Sequence, residues 1–462
     1  MSELKEKLLS SRKNGFDRMD EAQVKDCFAY AEGYKTFMDE GKIEREAVTY
    51  AVSLAEGKGF RPFKRGDAVR PGDKLYVNSR GKTLFLAVIG QEKLSEGAHI
   101  AVAHIDAPHI HLKPNPLYEE SEMGYFKTHY YGGIRKYQWV TIPLELRGVV
   151  VLRDGTVKKV NIGKDKNDPL FVMTDLLPHL AQTQNEKTLA KGIEGEQLNL
   201  LIGSRPLANT EGGDRVKLSL MKIFNEKYGI TEDDFVSAEL GIVPAYNACD
   251  IGLDRSMVGA YGHDDKVCAY AALTSILQTE APQKTAVSVL VDKEEVGSNG
   301  VTSMRSAAFD TFMEDLCEAQ GVKLRACFER SFCLSADVCA AFDPTFPDVY
   351  EKRNAPLINY GPGVAKYLGV HGKSGCSDAS AEVIGYLRRT FDANNIVWQM
   401  AELGKVDGGG GGTIAAFIAN RNIDTVDIGV PVLSMHAPFE IISKVDLYML
   451  HQAFAAVFAS AE

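Results

Sequence analysis

Hydrophobic and polar positions divide the chain into three stretches of different rhythm. Up to about residue 60, apolar residues recur three or four apart in KEKLLSS, in EAQVKDCFAYAEGYKTFMDEG and in IEREAVTYAVSLAEGKG. That period predicts helices, the last closed by Gly57 and Gly59. From about residue 61 the period falls toward two, in KLYVNS, KTLFLAVIG and HIAVAHIDAP, and predicts strands. The last of these runs from His99 to Ala103 into His104, Ile105 and Asp106, where Pro108 prevents easy continuation of a ladder.

Residues 112–245 change character. WVTIPLELRGVVVL, the tight-turn pair Asp154-Gly155 and TVKKVNIG are strand signals, with helices expected only at FVMTDLLPHLAQ and VKLSLMKIFNEKYG. This stretch reads as an inserted, smaller β-rich domain. From about 246, helices and strands alternate: DDKVCAYAALTSILQT as a helix capped by Asp264 or Asp265, TAVSVLVD as a strand, SAAFDTFMEDLCEAQG as a helix, SFCLSADVCAA as a strand. SDASAEVIGYLRRTFDANN, IVWQMAE, GGGGGTIAAFIANRN, TVDIGVPVLSMHAP and DLYMLHQAFAAVFASAE continue the alternation. Such a rhythm predicts an α/β fold with a mostly parallel central sheet flanked by helices. Residues 1–111 and 246–462 are expected to form that domain around the 112–245 insert.

The polar residues that interrupt this pattern fall where strands end or helices begin. The β-branched run Thr285 to Val291 stops in Asp292, Lys293, Glu294 and Glu295, then turns at Gly297. If the segment stays extended, one Glu can bind a metal while its neighbour faces a metal-bound water. His104 follows AVA, Asp337 follows FCLSA, His436 follows VPVLSM, and Asp264 opens a helix after Gly262-His263. In open α/β sheets the strand ends share the edge where ligands bind, so these side chains are expected to converge. Taken singly, each has an ordinary explanation. A His after a strand is commonly a hydrogen-bonded core or surface group, and Asp264-Asp265 an N-cap with an acidic first turn. Asp337 resists that reading, because a lone buried carboxylate is costly without a cation or hydrogen bonds. Asp106 suits a carboxylate that orients the His104 imidazole, while His109 and His111, at strand spacing, compete as ligands. Imidazole plus carboxylate, with no thiolate, fits zinc, cobalt or manganese in an open site, and five donors exceed the need of one ion. Two metals would hold a bridging hydroxide as nucleophile, with a spare Glu as general base.

Composition narrows the classes. The chain has 462 residues, 45% hydrophobic and 25% charged, with a net charge of −10, which argues against nucleic acid as a partner. No apolar run reaches membrane-spanning length, and the charged start lacks a signal-peptide core. Eight cysteines without CxxC spacing read as reduced thiols, so a soluble cytoplasmic protein is expected. Other motifs fail. Gly372-Lys373-Ser374 lacks the first glycine of a phosphate loop, Gly408 to Gly412 has no following Lys, and no GxSxG elbow exists.

The runs AHIDAP, HDDK, DKEEVGS, SAD and MHAP, in this order, resemble the aspartyl aminopeptidase family of co-catalytic zinc metallopeptidases. The resemblance extends through nearly the whole chain, insert included. It implies a zinc exopeptidase-like catalytic domain with a central mixed sheet, interrupted by a β-rich domain used for dimerisation. It also implies two zinc ions per subunit: His104 and Asp337 on one, Glu295 and His436 on the other, Asp264 bridging. Glu294 would be the general base and Asp106 the partner of His104. The implied reaction is release of the N-terminal residue of short peptides, with acidic Asp or Glu preferred, in a homo-oligomer such as a dodecamer. Lys366, in Gly361-Pro362-Gly363-Val364-Ala365-Lys366, resembles the substrate-side-chain position. His179, in PHLA, resembles the residue lent to a neighbouring subunit, although Gln182 and Thr183 stand where a second histidine is expected. Alternatives are a related aminopeptidase of neutral or broad specificity, or a non-catalytic self-assembling metal-binding shell. Intact Glu294 argues against the shell.

Overall fold

In the computed structural model, which describes residues 3–462, the two-residue rhythm becomes burial on both faces of a sheet. Along Ala98–His104, Ile100 and Val102 enter one apolar core while Ala101 and Ala103 enter the other. Thr285–Val291 divides likewise, Ala286 and Leu290 to one face and Val287, Val289 and Val291 to the opposite one. A strand buried on both faces needs a continuous apolar run, and these two have it. On one side the alanines meet Ala269, Ala271 and Ala272 of helix His263–Gln278, small residues that allow close helix–sheet approach. On the other lie Phe309, Phe312 and Met313 of helix Ala308–Ala319.

Contacts divide the chain into two units. The first comprises residues up to Asp106, Ala248–Met435 and Glu440–Glu462; the second comprises Ala107–Asn247 and His436–Phe439. The first unit is α/β and carries two sheets. In its nine-stranded sheet the order is Arg61–Pro62, Lys74–Ser79, Thr83–Val88, Thr285–Val291, Ala98–His104, Phe332–Ala336, Asp424–Gly429, Gly363–Ala365 and Gln399–Met400. The four strands from Thr285–Val291 to Asp424–Gly429 are mutually parallel, so their C-terminal ends share one edge. Antiparallel neighbours flank them on both sides, Thr83–Val88 and Gly363–Ala365, and make the whole sheet mixed.

A second sheet of the same unit, Cys249–Ile251, Met257–Ala260, Glu440–Ser443, Pro431–Leu433 and Cys339–Ala340, receives the chain as it leaves that edge. SFCLSADVCAA, expected as one strand, is therefore two, with Asp337 in the step between sheets. TVDIGVPVLSMHAP also breaks, into Asp424–Gly429 and Pro431–Leu433, because Pro431 has no N–H to extend the first ladder. Gly429 sits in that step, where a Cβ would overlap the backbone carbonyl of Asp337. Ser434 and His436 both have positive φ, at 59° and 63°, so His436 lies beyond the strand rather than at its end.

The second unit is built on a seven-stranded antiparallel sheet in the order Val157–Ile162, Leu144–Val151, Ala238–Pro244, His109–Glu120, Met123–Tyr131, Leu200–Gly203 and Val172–Met173. Phe126, Phe224 and Phe235 pack edge to face or tilted beneath it, with ring centroids 5.4–5.8 Å apart. Helix Arg215–Tyr228 forms as its periodicity predicts. The helix expected at FVMTDLLPHLAQ does not form. Val172 and Met173 pair instead with Leu201 and Leu200, and Pro178 starts only a 3-10 turn, Pro178–Leu180. A proline there cannot donate back into a helix begun at Phe171. Among the described residues no helix is long and apolar enough to cross a membrane.

Candidate metal centre

His104 is the hub. It is the last residue of strand Ala98–His104, its side chain is 1% exposed, and three carboxylates meet its two nitrogens. Nε2 lies 3.2 Å from Asp264 Oδ1 and 3.9 Å from Asp337 Oδ1. Nδ1 lies 3.0 Å from the Asp106 carbonyl and 3.4 Å from Asp106 Oδ1, so Nδ1 donates toward Asp106 while Nε2 faces Asp264 and Asp337. The His104 backbone N–H donates to Asp265 Oδ2 at 3.2 Å.

The acidic stretch after Val291 reaches the same place by a different local structure than expected. Asp292 is buried and accepts from Thr302 Oγ1 at 2.6 Å; burial pushes its carboxyl up to about 7. Lys293 takes a left-handed conformation (φ 69°), and Glu294–Val296 form a 3-10 turn closed at Gly297 (φ 85°). The two glutamates thus diverge by about 120° around a tight turn, not by strand alternation. Their backbone N–H groups both donate to Asp106, Glu294 to Oδ1 at 3.1 Å and Glu295 to Oδ2 at 3.2 Å. A single carboxylate therefore aims both glutamates and touches the imidazole.

Asp264 stands in the first turn of His263–Gln278. Gly262 precedes the turn and offers no side chain, and Asp264 and Asp265 lie at a kink ahead of the regular helical residues. Both aspartates have non-helical backbone angles and are joined by a cis peptide bond. Asp265 Oδ2 accepts the His104 N–H, and the Asp264 N–H donates to Glu440 Oε2 at 3.1 Å.

So many acids around one imidazole shape its protonation. Burial disfavours the His104 cation, yet hydrogen bonds to Asp106 and Asp264 and the charge of Asp337 outweigh it and raise its pKa well above the ordinary value. Burial raises Asp337 and Asp265 well above the usual carboxylate range; Asp264 adds to both, and His104 opposes. The cluster favours cations of any kind. Two overlapping sets, His104–Asp264–Glu295 and His104–Glu294–Asp337, each bring one donor atom per residue within 4.8 Å of the others. One imidazole with carboxylates on both sides, and no thiolate, is a donor set that fits zinc.

The remaining candidates have other partners. His436 belongs with the second unit, its Nδ1 2.9 Å from the Gly133 carbonyl. His109 and His111 also belong there: their Nε2 atoms face each other at 2.6 Å, His109 Nδ1 bonds the Ala107 carbonyl, and Tyr131 stacks on the His109 ring. His179 is exposed on the turn Pro178–Leu180 of the same unit. Lys366 is half-buried after Gly363–Ala365; with Ala365 opposite Asp427, the chain reaches it heading away from Gly429. Sequence reasoning passed over Lys266 and Glu440, both buried. The available signal was a charged residue opening the apolar run EIIS and a lysine ending HDDK.

The chain is similar to known proteins over nearly its whole length. The model of a family described as aminopeptidase I zinc metalloprotease (M18) matches residues 37–458. A probable M18 family aminopeptidase 1 of Clostridium acetobutylicum is 49% identical over 457 residues, covering 97% of this chain and 98% of that protein. The crystal structure of an M18 aminopeptidase from Thermotoga maritima superimposes with a TM-score of 0.94 at 39% identity, covering 97% and 99% of the two chains. That of aminopeptidase I from Clostridium acetobutylicum gives 0.92 at 45% identity, covering 98% and 100%.

Proposed function

The chain belongs to the M18 family of aminopeptidase I zinc metalloproteases and is a zinc-dependent aminopeptidase, and from that premise we propose that it holds two zinc ions per subunit and uses Glu294 as general base to release the N-terminal residue of short peptides. In this reading His104 and Asp337 would hold one ion and Glu295 and His436 the other, with Asp264 shared between them. The observation that supports it most is the meeting of Asp264 and Asp337 at Nε2 of one buried imidazole, with Glu294 and Glu295 in the two donor sets that share it.

When bound, the ions supply Lewis acidity that activates water and polarises the scissile carbonyl. The chain does the rest. Asp106 fixes the His104 tautomer through Nδ1 and holds the backbone of both glutamates. Glu294 takes the proton of the attacking water on its carboxylate and passes it to the departing amine nitrogen, so a single residue serves both transfers. Lys366 is the candidate partner for an acidic N-terminal side chain, and His179 the candidate contribution from a neighbouring subunit. We read the second unit as the surface through which copies associate. Leu170, Leu176, Leu177, Leu180 and Leu189, each at least half exposed, support this, because exposed leucines in one segment favour burial against another chain.

The test is hydrolysis of substrates with N-terminal Asp, Glu, Leu or Ala, with chelator and with zinc or cobalt restored, alongside zinc counted per subunit by mass spectrometry. Metal-dependent release with Asp or Glu ahead supports the acidic preference. Leu or Ala ahead leaves the mechanism and removes the role of Lys366. One zinc at full activity removes the dinuclear reading.

A further inference from the structure

Glu440 opens strand Glu440–Ser443 opposite Ala260 and is 1% exposed. A carboxylate in such a place is costly unless its charge is matched and its oxygens are bonded. The turn that carries Asp264 supplies a bond to one Glu440 oxygen and a cation whose charge that carboxylate senses. Glu440 Oε2 accepts the Asp264 backbone N–H, and Lys266, two residues on, is fully buried with its Nζ 5.0 Å from the Tyr261 ring centroid and 3.4 Å from the Lys42 carbonyl. Burial pushes Lys266 down to about 8, and the charge of Glu440 is foremost in opposing that.

The Asp264 amide needs such a partner. Asp264 lies at a kink ahead of the regular helix, where a backbone N–H has no carbonyl within the helix to bond. Besides Glu440, the turn is anchored by the Asp265 carboxylate on the His104 N–H and by the His263 ring, which bonds Tyr34 Oη and the Val258 carbonyl. With Glu440, the turn is held from both sides, and the Asp264 carboxylate comes to rest 3.2 Å from His104 Nε2.

We propose that Glu440 is a positioning residue: by accepting the Asp264 N–H it fixes the turn that aims the Asp264 carboxylate at the metal centre, and an uncharged acceptor of the same length suffices. This rests on the reading of Asp264 as a metal ligand. Glu440→Gln keeps an acceptor oxygen at the same reach and removes the charge. Glu440→Asp keeps the charge and withdraws the acceptor by one methylene.

The experiment is competition of full-length protein with a chelator for zinc, together with the visible spectrum of the cobalt-substituted protein, for wild type, Glu440→Gln, Glu440→Asp and Asp264→Ala. Expected are near wild-type affinity and spectrum for Glu440→Gln, and an affinity about tenfold or more weaker with an altered spectrum for Glu440→Asp, the range seen when a group behind a metal ligand is lost. Any other ordering of the two Glu440 variants overturns the proposal, equal affinities included. Full zinc affinity in Asp264→Ala removes the underlying reading of Asp264 instead. Loss there, with both Glu440 variants unchanged, removes only Glu440.

Discussion

Asp106→Asn isolates the residue that joins imidazole to glutamates. Asp106 accepts from Glu294 N–H at 3.1 Å and from Glu295 N–H at 3.2 Å, one on each carboxylate oxygen. An asparagine has one oxygen, so it can serve only one of them and must turn its NH2 toward the other. The variant loses one hydrogen bond to a charged acceptor, about 1.5–3 kcal/mol, and reduces the second to a neutral one, about 0.5–1.5 kcal/mol. The contact with His104 changes less, because the backbone carbonyl of residue 106 still faces Nδ1 at 3.0 Å. The loss should therefore fall on the placement of the glutamates more than on the imidazole. If about 2 kcal/mol of it reaches the transition state, kcat/KM drops roughly 30-fold. The assay is kcat/KM on the best N-terminal residue, with zinc content measured on the same sample. A kcat/KM within threefold of wild type at full zinc content would refute the reasoning, as would zinc loss with unchanged turnover per bound zinc.

Glu294→Gln should keep zinc near the wild-type level while turnover falls about 100-fold or more, the usual range for a lost general base; unchanged kcat reassigns the base. Gly429→Ala places a methyl against the Asp337 carbonyl and should lower both the melting temperature and zinc content, since backbone on both sides has to move; wild-type values of both would show that this close approach does not fix Asp337. Asp427 is buried, accepts from Thr413 Oγ1 at 2.7 Å, and burial pushes its carboxyl up to about 7. Between about pH 4 and that value the folded chain keeps a proton the unfolded chain has lost, so this group makes stability fall as pH rises, by up to about 4 kcal/mol. Asp427→Asn keeps the Thr413 bond and does not ionise. Its melting temperature should fall less between pH 5 and pH 8 than that of wild type; equal slopes would assign the pH dependence to other groups.

Strand ends were legible because the apolar runs that precede His104, Glu294 and Asp337 are buried on both faces and leave no ambiguity of period. Parallel pairing then brings those ends to one edge, a consequence of topology that spacing in sequence cannot hide. Departures arose where a tertiary partner overrode a local preference. Val172 and Met173 found a strand to pair with, so the helical spacing around them counted for nothing. The Glu294–Glu295 pair diverges through a tight turn set by Lys293 and Gly297, which periodicity does not register. Glu440 was invisible for another reason: its partner, the Asp264 amide, lies 176 residues away and is backbone. A side chain that acts on backbone leaves no complementary residue to find.

The order of strands has a consequence for how the chain is made. Thr285–Val291 lies between Thr83–Val88 and Ala98–His104 in the sheet, yet follows them by about 180 residues. At a synthesis rate of roughly 5–20 residues per second, the earlier strands wait on the order of 10–40 s with open edges. During that interval the ribosome delivers residues 107–247, whose first two strands, His109–Glu120 and Met123–Tyr131, close as a local hairpin. The long-range pairing is slow and the hairpin fast. The intervening sheet can thus finish while the flanking one is still incomplete, a schedule that a full-length chain diluted from denaturant no longer has.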